Sequence, residues 1–268
     1  KIGQVAYNLK GIATVTRQKY LTASEKGPWA NSYDRWRNDN LTNRYQGVQF
    51  GYTSAGRYTS WNDIWSYPGY KERDILPGDY KYEDWNGDGE INGQDEHPFA
   101  FDQTPWLQFS LNAGLQWKNF DFNMLLQGSA LGSMEYKEPL HEIWGKNGGG
   151  ALTQFLDRWH PVDPKADPYD PSTVWTSGHY AYTGRWAKNN SAFNRVSTAY
   201  LRLKSIELGY TFPKLKQIPN ASLRIYANAY NLLTFTGVKF VDPEHPDDDL
   251  GRMYPLNKTY TLGVSLSF

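Results

Sequence analysis

Residues 84–95 bring together the oxygen-bearing side chains and the glycines that a calcium-binding loop needs. The segment reads DWNGDGEINGQD, which follows the D-x-N-x-D-G register of such loops. Three side-chain oxygens would come from positions 1, 3 and 5, a backbone carbonyl from position 7, and Ile91 would turn inward to anchor the loop. Position 12 is the short Asp95, where helical EF-hands use Glu, so the site is expected to be weak. The predicted ligands are Asp84, Asn86, Asp88, Glu90 and Asp95.

The same segment also fits a loop that binds no metal. Asn-Gly-Asp-Gly is ordinary turn chemistry, because Asn and Asp side chains accept hydrogen bonds from nearby backbone amides. No helical pattern flanks residues 84–95, so the segment would be a calcium loop without the two helices of an EF-hand. The D-x-N-x-D-G register favours a structural calcium ion over a plain turn.

Other kinds of reactive site find little support in the sequence. The chain contains no Cys, which excludes disulfides, thiolate metal sites and Cys nucleophiles. Its five His are scattered without metal-ligand spacing, and no known catalytic or phosphate-binding motif is present. The 28 basic and 28 acidic residues balance without forming a basic run, so nucleic acid is not expected as a partner. We therefore expect a protein that is not an enzyme.

The elements that must position these residues are β-strands. Residues 259–268 alternate strictly between small polar side chains and large apolar ones. Residues 107–117 and 120–127 repeat this alternation around a turn at Lys118-Asn119, with Gln, Asn and Ser on the polar side. A phase slip at Lys204-Ser205 predicts a β-bulge. Six long strands are predicted, at about 4–17, 106–118, 119–130, 198–212, 221–234 and 257–268.

The connections between these strands alternate strictly between long and short. Long segments for which no strand or helix is predicted lie at 18–105, 131–197 and 235–256, and short links lie at 118–119 and 213–220. This asymmetry is typical of bacterial outer-membrane barrels, which have short periplasmic turns and long outer loops. Six strands cannot close, because the smallest single-chain barrels need about eight. We predict an all-β, antiparallel transmembrane β-barrel, of which residues 1–268 form the C-terminal portion with long extracellular loops.

Four ordered motifs carry a resemblance to a known family. Residues 50–61 are similar to its F-G-Y-x-x-x-G-x-F-x-S segment, with Tyr58 in place of Phe, and residues 77–89 to its P-G-D-x-K-Y-x-D-x-N-G-D-G stretch. Residues 200–210 are similar to its Y-L-R-L-K-x-x-x-L-G-Y strand. The fourth motif is the order of NLLT at 231–234, DPE at 242–244, YP at 254–255 and the terminal Phe268. The whole chain resembles the C-terminal region of SusC/RagA-type TonB-dependent outer-membrane transporters.

The resemblance implies what surrounds this chain and what the whole molecule does. Such transporters form a barrel of about 22 strands around an N-terminal plug, and this chain would supply about six of those strands. The plug, the TonB box and a signal peptide are not in this sequence. The implied partners are a SusD-like surface lipoprotein that covers the barrel as a lid, the TonB complex and outer-membrane lipid. The implied function is import of oligosaccharides or peptides across the outer membrane of a Gram-negative bacterium.

Tryptophans in the segment 131–197 are candidates for contact with the substrate or with the lid. Flat amphipathic side chains stack on sugar rings and anchor protein interfaces. Four prolines between 161 and 171 stiffen this segment, which favours an ordered contact surface. The alternative is that the same side chains pack the loop against itself. The candidates are Trp144, Trp159, Trp175 and Trp186.

The sequence also fits two other kinds of protein. The first is a soluble extracellular β-protein that binds glycans with the help of calcium, and it would be a monodisperse monomer in buffer without detergent. The second is a calcium-dependent polysaccharide lyase, and it would shorten candidate glycans. The order of the motifs favours the transporter over both.

Overall fold

The fold is all-β and antiparallel. The computed structural model describes residues 4–22, 28–37, 42–69, 75–137, 140–141, 143, 151–182, 190–213, 221–247 and 250–268. The strands in chain order are β1 (Val5–Val15), β2 (Gln49–Gly51), β3 (Ser54–Arg57), β4 (Tyr80–Tyr82), β5 (His97–Ala100), β6 (Leu107–Trp117), β7 (Phe120–Ala130), β8 (Ser133–Glu135), β9 (His160–Pro161), β10 (Trp175–Thr176), β11 (Arg195–Ser197), β12 (Tyr200–Phe212), β13 (Ser222–Thr236) and β14 (Thr259–Ser267). Helical turns are α1 (Ser32–Arg37), α2 (Trp61–Ser66) and two 3₁₀ segments, Gly93–Asp95 and Thr153–Leu156.

The six long strands form one sheet in the order β1-β6-β7-β12-β13-β14. They match the six predicted strands to within a few residues at each end, and every neighbouring pair is antiparallel. The predicted hairpin is confirmed, since Trp117 pairs with Phe120 across the two-residue turn. The predicted bulge is also confirmed, because the register of β12 shifts between Leu203 and Ser205 against both of its neighbours. The predicted turn at 213–220 lies almost wholly outside the described residues.

The sheet has one apolar and one polar face, as the alternation predicts. Apolar side chains meet across neighbouring strands, for example Leu208 opposite Ala227 and Ala227 opposite Leu262. Many of them are open to the surroundings: Leu262 is 76% exposed and Leu208 is 54% exposed. A soluble sheet of this size buries one face against a second layer, whereas the described residues place no such layer on the apolar face.

The polar face carries ion pairs that cross from strand to strand. Arg224 on β13 donates to Asp121 on β7, with Nε 3.1 Å from Oδ1, and to Glu207 on β12, with Nη2 2.6 Å from Oε1. Gly209 on β12 lies under this cluster, where a Cβ would be 2.6 Å from the Arg224 guanidinium. Opposite charges are therefore paired within the polar face of the sheet, among its amide side chains.

The long connecting segments contain regular structure, contrary to the sequence prediction. They hold both α-helices and four two-stranded ribbons, which pair β2 with β5, β3 with β4, β8 with β11 and β9 with β10. A small core supports them, in which Tyr52, Tyr82 and Ile91 are buried and Tyr80 and Phe193 pack against them. Such short strands form because their aromatic side chains pack together, and strands of two to four residues give no readable periodicity.

Helices do not provide a membrane span in the part of the chain that the structure describes. The two α-helices have six residues each.

Candidate functional site

The long segments leave the sheet from the same end. Val15, at the end of β1, pairs with Leu107 at the start of β6, and Leu107 also pairs with Ala130 at the end of β7. Tyr200, which opens β12, lies beside both Ser129 and Thr236. The segments 16–106, 131–199 and 237–258 therefore emerge together, and the candidate site residues lie within them.

The predicted calcium loop has the turns that its register requires. Gly87 and Gly89 have φ values of +72° and +86°, a region that L residues with a side chain rarely adopt. Asp84 closes the loop from inside, since its Oδ1 accepts from the Gly87 amide at 2.8 Å and its Oδ2 from the Gly89 amide at 2.8 Å. The amide of Glu90 and the side chain of Asn86 both donate to Asp88, which lowers the pKa of its carboxyl group.

Asp95 and Ile91 fix the loop to the rest of the protein. Asp95 is fully buried, and its carboxylate accepts from the amide of Trp85 at 2.9 Å and from that of Asn92 at 2.8 Å. These bonds join the two ends of the loop. Ile91 is buried in the aromatic core, as predicted.

The donor set of the loop suits a hard cation. Carboxylate oxygens carry more lone pairs than these amide bonds use, so the chemistry of Asp84, Asn86 and Asp88 fits calcium. Within the described ranges, however, no group of three or more acidic or His side chains is arranged to hold a metal ion. Calcium at residues 84–95 therefore stays a prediction.

Two of the four candidate tryptophans lie in one small pocket. Trp159 and Trp175 line a cavity of about 250 Å³ together with Trp61, which sequence reasoning did not select although it ends the motif at 50–61. Trp144 and Trp186 lie outside the described residues. The structure thus brings together tryptophans from two segments that are about a hundred residues apart in the chain.

The positions of these indoles follow from local structure. Trp61 opens α2, whose first turn is capped by the Ser60 hydroxyl accepting from the Asp63 amide at 3.2 Å. Trp175 lies on β10 opposite Pro161 of β9, and Trp159 directly precedes β9. Trp159 packs against Gly78, where φ is +91° and a Cβ would lie 2.3 Å from the Trp159 Cγ atom.

A larger cleft, of about 590 Å³, opens between the same segments. Arg57 lies in its wall, donating through Nη1 to the Gly78 carbonyl at 2.9 Å and through Nη2 to the His179 carbonyl. Its guanidinium also stacks over the Tyr80 ring, 4.1 Å from the centroid. Burial lowers the pKa of His179, and nearby Arg57 lowers it further. Arg57 therefore joins the segment before β4 to the segment after β10.

An ion-pair network ties the third long segment to the polar face of the sheet. Arg202 on β12 contacts Asp242 at 2.7 Å and Glu244 at 2.8 Å, and Lys204 contacts Glu244 at 2.9 Å. A further cavity, of about 710 Å³, lies beside this network and is lined by strand residues such as Gln108 and Gln127 and by Glu244. The lining is mixed, since apolar residues such as Ile12 and Leu125 lie beside these polar ones.

Comparison with known proteins shows that the sequence is similar to TonB-dependent receptors. No family model matches the chain. It is 28% identical to TonB-dependent receptor P3 of Formosa agariphila over 211 residues, which are 73% of this chain and 19% of the receptor. It is 26% identical to TonB-dependent receptor P26 of the same species, over 84% of this chain and 22% of the receptor. It is 25% identical to TonB-dependent receptor SusC of Bacteroides thetaiotaomicron, over 77% of this chain and 19% of the receptor.

Solved structures share the fold. A chain of the RagAB peptide transporter superposes with a TM-score of 0.59 at 20% identity, over 87% of this chain and 24% of that one. A chain of the RagAB peptide importer in its open-open state superposes with a TM-score of 0.60 at 18% identity, over 100% of this chain and 27% of that one. The relatives are named as receptors and transporters, which agrees with the prediction that the chain is not an enzyme.

The chain spans about a fifth of the length of the curated relatives that it matches. Over that part of their length the chain is similar in sequence to TonB-dependent receptors, SusC among them, and it shares its fold with chains of RagAB.

Proposed function

We propose that the chain is part of the barrel wall of a nutrient importer in the outer membrane of a Gram-negative bacterium. The observation that carries this proposal is the sheet with two different faces. A face of exposed Leu, Val, Phe and Tyr side chains needs an apolar environment, and lipid provides one for a strand that is polar on its other side. Because the sequence relatives are TonB-dependent receptors, lipid is favoured over a protein partner as the surroundings of the apolar face.

The proposal includes the substrates and partners that the resemblance implies. Oligosaccharides or peptides would be bound by the long segments at one end of the sheet, under a SusD-like lipoprotein lid, and TonB would supply the energy for import. The match to SusC and the match in fold to a peptide transporter support this function. The cavities between the long segments give a substrate room to bind.

Uptake by living cells tests the proposed function. Cells that produce the receptor containing this chain are supplied with fluorescent oligosaccharides or peptides, and uptake is measured with and without an uncoupler of the proton gradient. We expect uptake that the uncoupler abolishes, and a lipoprotein that copurifies with the receptor in detergent. Recovery of the chain as a monodisperse monomer without detergent would instead support the soluble glycan-binding protein, and shortened glycans would support the lyase.

We further propose that residues 84–95 bind a structural calcium ion, held by Asp84, Asn86, Asp88, the Glu90 carbonyl and Asp95. The fit of the donor types and the glycine-dependent turns support this site. Terbium is a suitable probe because Trp85 lies within the loop and can sensitise its luminescence.

The terbium experiment has a matched control. We expect emission that calcium displaces, and an affinity at least tenfold lower in Asp84→Asn. Asp170→Asn is the control, since Asp170 accepts a backbone amide, that of Ser172 at 2.8 Å, in a comparable turn outside the motif. Absence of emission from the unmodified receptor, or an equal loss in both variants, would show that the loop is a plain turn.

A further inference from the structure

Two segments beside the end of β1 carry positive charge without any acidic residue. Residues 16–22 follow β1, and residues 42–50 run alongside them, with the Gln46 amide donating to the Gln18 carbonyl at 2.9 Å. The chain as a whole is neutral, with 28 basic and 28 acidic residues. Among the described residues, the three basic side chains of these segments form no ion pair. They are Arg17, Lys19 and Arg44.

Aromatic rings hold two of these cations next to each other. The Arg17 guanidinium carbon lies 4.7 Å from the centroid of the Tyr45 ring and 5.9 Å from that of Trp106. The Lys19 amino nitrogen lies 5.9 Å from the Tyr45 centroid. A ring face attracts a cation but does not neutralise it, and both residues are exposed. Arg17 and Lys19 thus form a cationic patch that an anion in the surroundings can reach.

Arg44 adds charge to the same pair of segments. It is half-buried, and its guanidinium lies over the rings of Trp36 and Phe50, 5.5 and 4.8 Å from their centroids. Burial lowers the pKa of Arg44, but an arginine keeps its charge at neutral pH. Arg44 therefore contributes positive potential, while the exposed Arg17 and Lys19 are the groups that make contact.

The length of β1 gives the depth at which the cationic patch lies. A strand of 11 residues that rises about 3.3 Å per residue and is tilted by about 45° spans about 25 Å, which is the height of the apolar band of an outer-membrane barrel. Val15 ends β1 and is 65% exposed. Arg17 follows two residues later, about 7 Å further along an extended chain. This step leads from the hydrocarbon into the layer of lipid headgroups.

Ring contacts connect the cationic patch to the apolar face of the sheet. The Trp106 ring contacts Phe101, with the centroids 5.1 Å apart. Phe101 borders a hollow of about 430 Å³ together with Ala130, which pairs with Leu107 at the end of the apolar face. The cavity beside the polar face is lined by neither Trp106 nor the two cations. The patch therefore continues the face that we expect to meet lipid.

We propose that Arg17 and Lys19 bind the phosphate group of an anionic lipid headgroup at the outer surface of the membrane. Arginine presents a fork of N–H donors that matches phosphate oxygens, and lysine adds a compact positive charge. Basic side chains just outside a membrane attract anionic headgroups. The inference rests on the proposed function, because it needs the apolar face of β1 to lie in lipid. A strand of the receptor that pairs with β1 would occupy the edge of β1 and leave this face uncovered.

Lipid binding to the receptor in detergent micelles tests the proposed site, measured by native mass spectrometry. The probes are phosphatidylglycerol, whose headgroup is anionic, phosphatidylcholine, whose headgroup carries its own positive charge, and inorganic phosphate as a competitor. Arg17→Gln/Lys19→Gln removes both charges of the patch, and Arg17→Lys/Lys19→Arg keeps them. Lys165→Gln/Lys239→Gln is the matched control, because it removes the same charge from exposed positions elsewhere on the long segments.

We expect the affinity for phosphatidylglycerol to be at least fivefold lower in Arg17→Gln/Lys19→Gln and within twofold of the original in both other variants. Binding of phosphatidylcholine should be the same in all of them. Raising the salt from about 0.1 M to about 1 M should abolish the difference, because the screening length falls from about 10 Å to about 3 Å. Circular dichroism and heat stability show whether each variant is folded, and Arg17→Gln alone serves if the double variant is not.

Four results would overturn the inference. Equal binding of phosphatidylglycerol after removal of both charges would show that the adjoining part of the receptor already pairs with these cations. An equal loss in Lys165→Gln/Lys239→Gln would show attraction to the net charge alone, and an equal loss of phosphatidylcholine would show an apolar contact. Displacement of the lipid by millimolar inorganic phosphate would assign the site to the free anion. Uptake that the uncoupler abolishes would leave the proposed importer standing in all four cases, so the two failures can be told apart.

Discussion

Gly78 is the residue at which the backbone most directly determines the position of a candidate tryptophan. It has a φ of +91°, its amide donates to the Tyr58 carbonyl at 2.7 Å, and its α-carbon faces the Trp159 ring. A side chain here meets two obstacles, the left-handed backbone region and the indole. The wall of the tryptophan pocket therefore depends on a glycine 81 positions away in the sequence from Trp159.

We predict that substitution of Gly78 by Ala lowers the stability of the long segments, and that the loss is smaller at glycines with fewer obstacles to a side chain. Gly78→Ala is expected to cost about 2–4 kcal/mol in the free energy of unfolding of the long segments, from the backbone conformation and the overpacking together. Gly56→Ala separates the two causes, since Gly56 has a φ of +101° but nothing within 4 Å of its Cβ position. Gly93→Ala has neither obstacle and is expected to be nearly neutral. Tryptophan fluorescence during heating measures all three, and a Gly78→Ala variant as stable as Gly93→Ala would contradict the packing described.

Single residues differ in how far the sequence could predict them. The inward position of Ile91 follows from the loop register, because each place in a calcium-type loop has a fixed direction. The meeting of Trp61 with Trp159 and Trp175 has no such local rule. It requires the segments 59–77 and 159–177 to pack together, and that packing depends on contacts distant in the sequence, such as the bonds from Arg57 to the Gly78 and His179 carbonyls.

At the level of elements, the long strands were predictable and the short ones were not. A strand such as β14 shows its alternation over nine residues, and one polar and one apolar face make that pattern clean. The ribbons of the long segments contain two to four residues per strand, too few for a period. They are specified by ring contacts such as Tyr52 with Tyr82, whose centroids are 5.4 Å apart, and Tyr80 with Phe193 at 4.8 Å.

Arg224 is expected to hold three strands in register through the polar face. Arg224→Met would leave Asp121 and Glu207 near each other without a cation between them. The pair is partly exposed, so we expect a loss of about 1 kcal/mol or less in the stability of the sheet. The double variant Arg224→Met/Glu207→Gln should recover part of it, because the repulsion is removed.

Urea unfolding in detergent micelles measures this effect. Lys10→Met is a matched control, since Lys10 on β1 is exposed on the same polar face of the sheet as Arg224 and lies opposite Asn112. An Arg224→Met variant as stable as Lys10→Met would show that the cluster does not stabilise the sheet.

At the scale of the whole molecule, the sheet has two long edges to be paired. Among the described residues, β1 pairs only with β6 and β14 only with β13. Long strands with free backbone donors and acceptors associate with other strands, and a closed barrel removes such edges. The chain covers about a quarter of the RagAB chains that share its fold, so we expect the neighbouring strands of the proposed barrel to pair at both edges.

The environment that each face of the sheet meets distinguishes a barrel wall from a globular protein. The sequence contains no Cys, so a single introduced Cys is a unique site for a nitroxide spin label within this chain. Labels are placed one at a time at positions 259–266 of the receptor in outer membranes. The accessibility of each label to oxygen, which concentrates in lipid, is compared with its accessibility to a water-soluble nickel chelate. We predict high oxygen accessibility at Tyr260, Leu262, Val264 and Leu266 and low oxygen accessibility at the positions between them. Labels at those four positions that neither reagent reaches would show that the apolar face packs inside a globule, and this result would contradict the account.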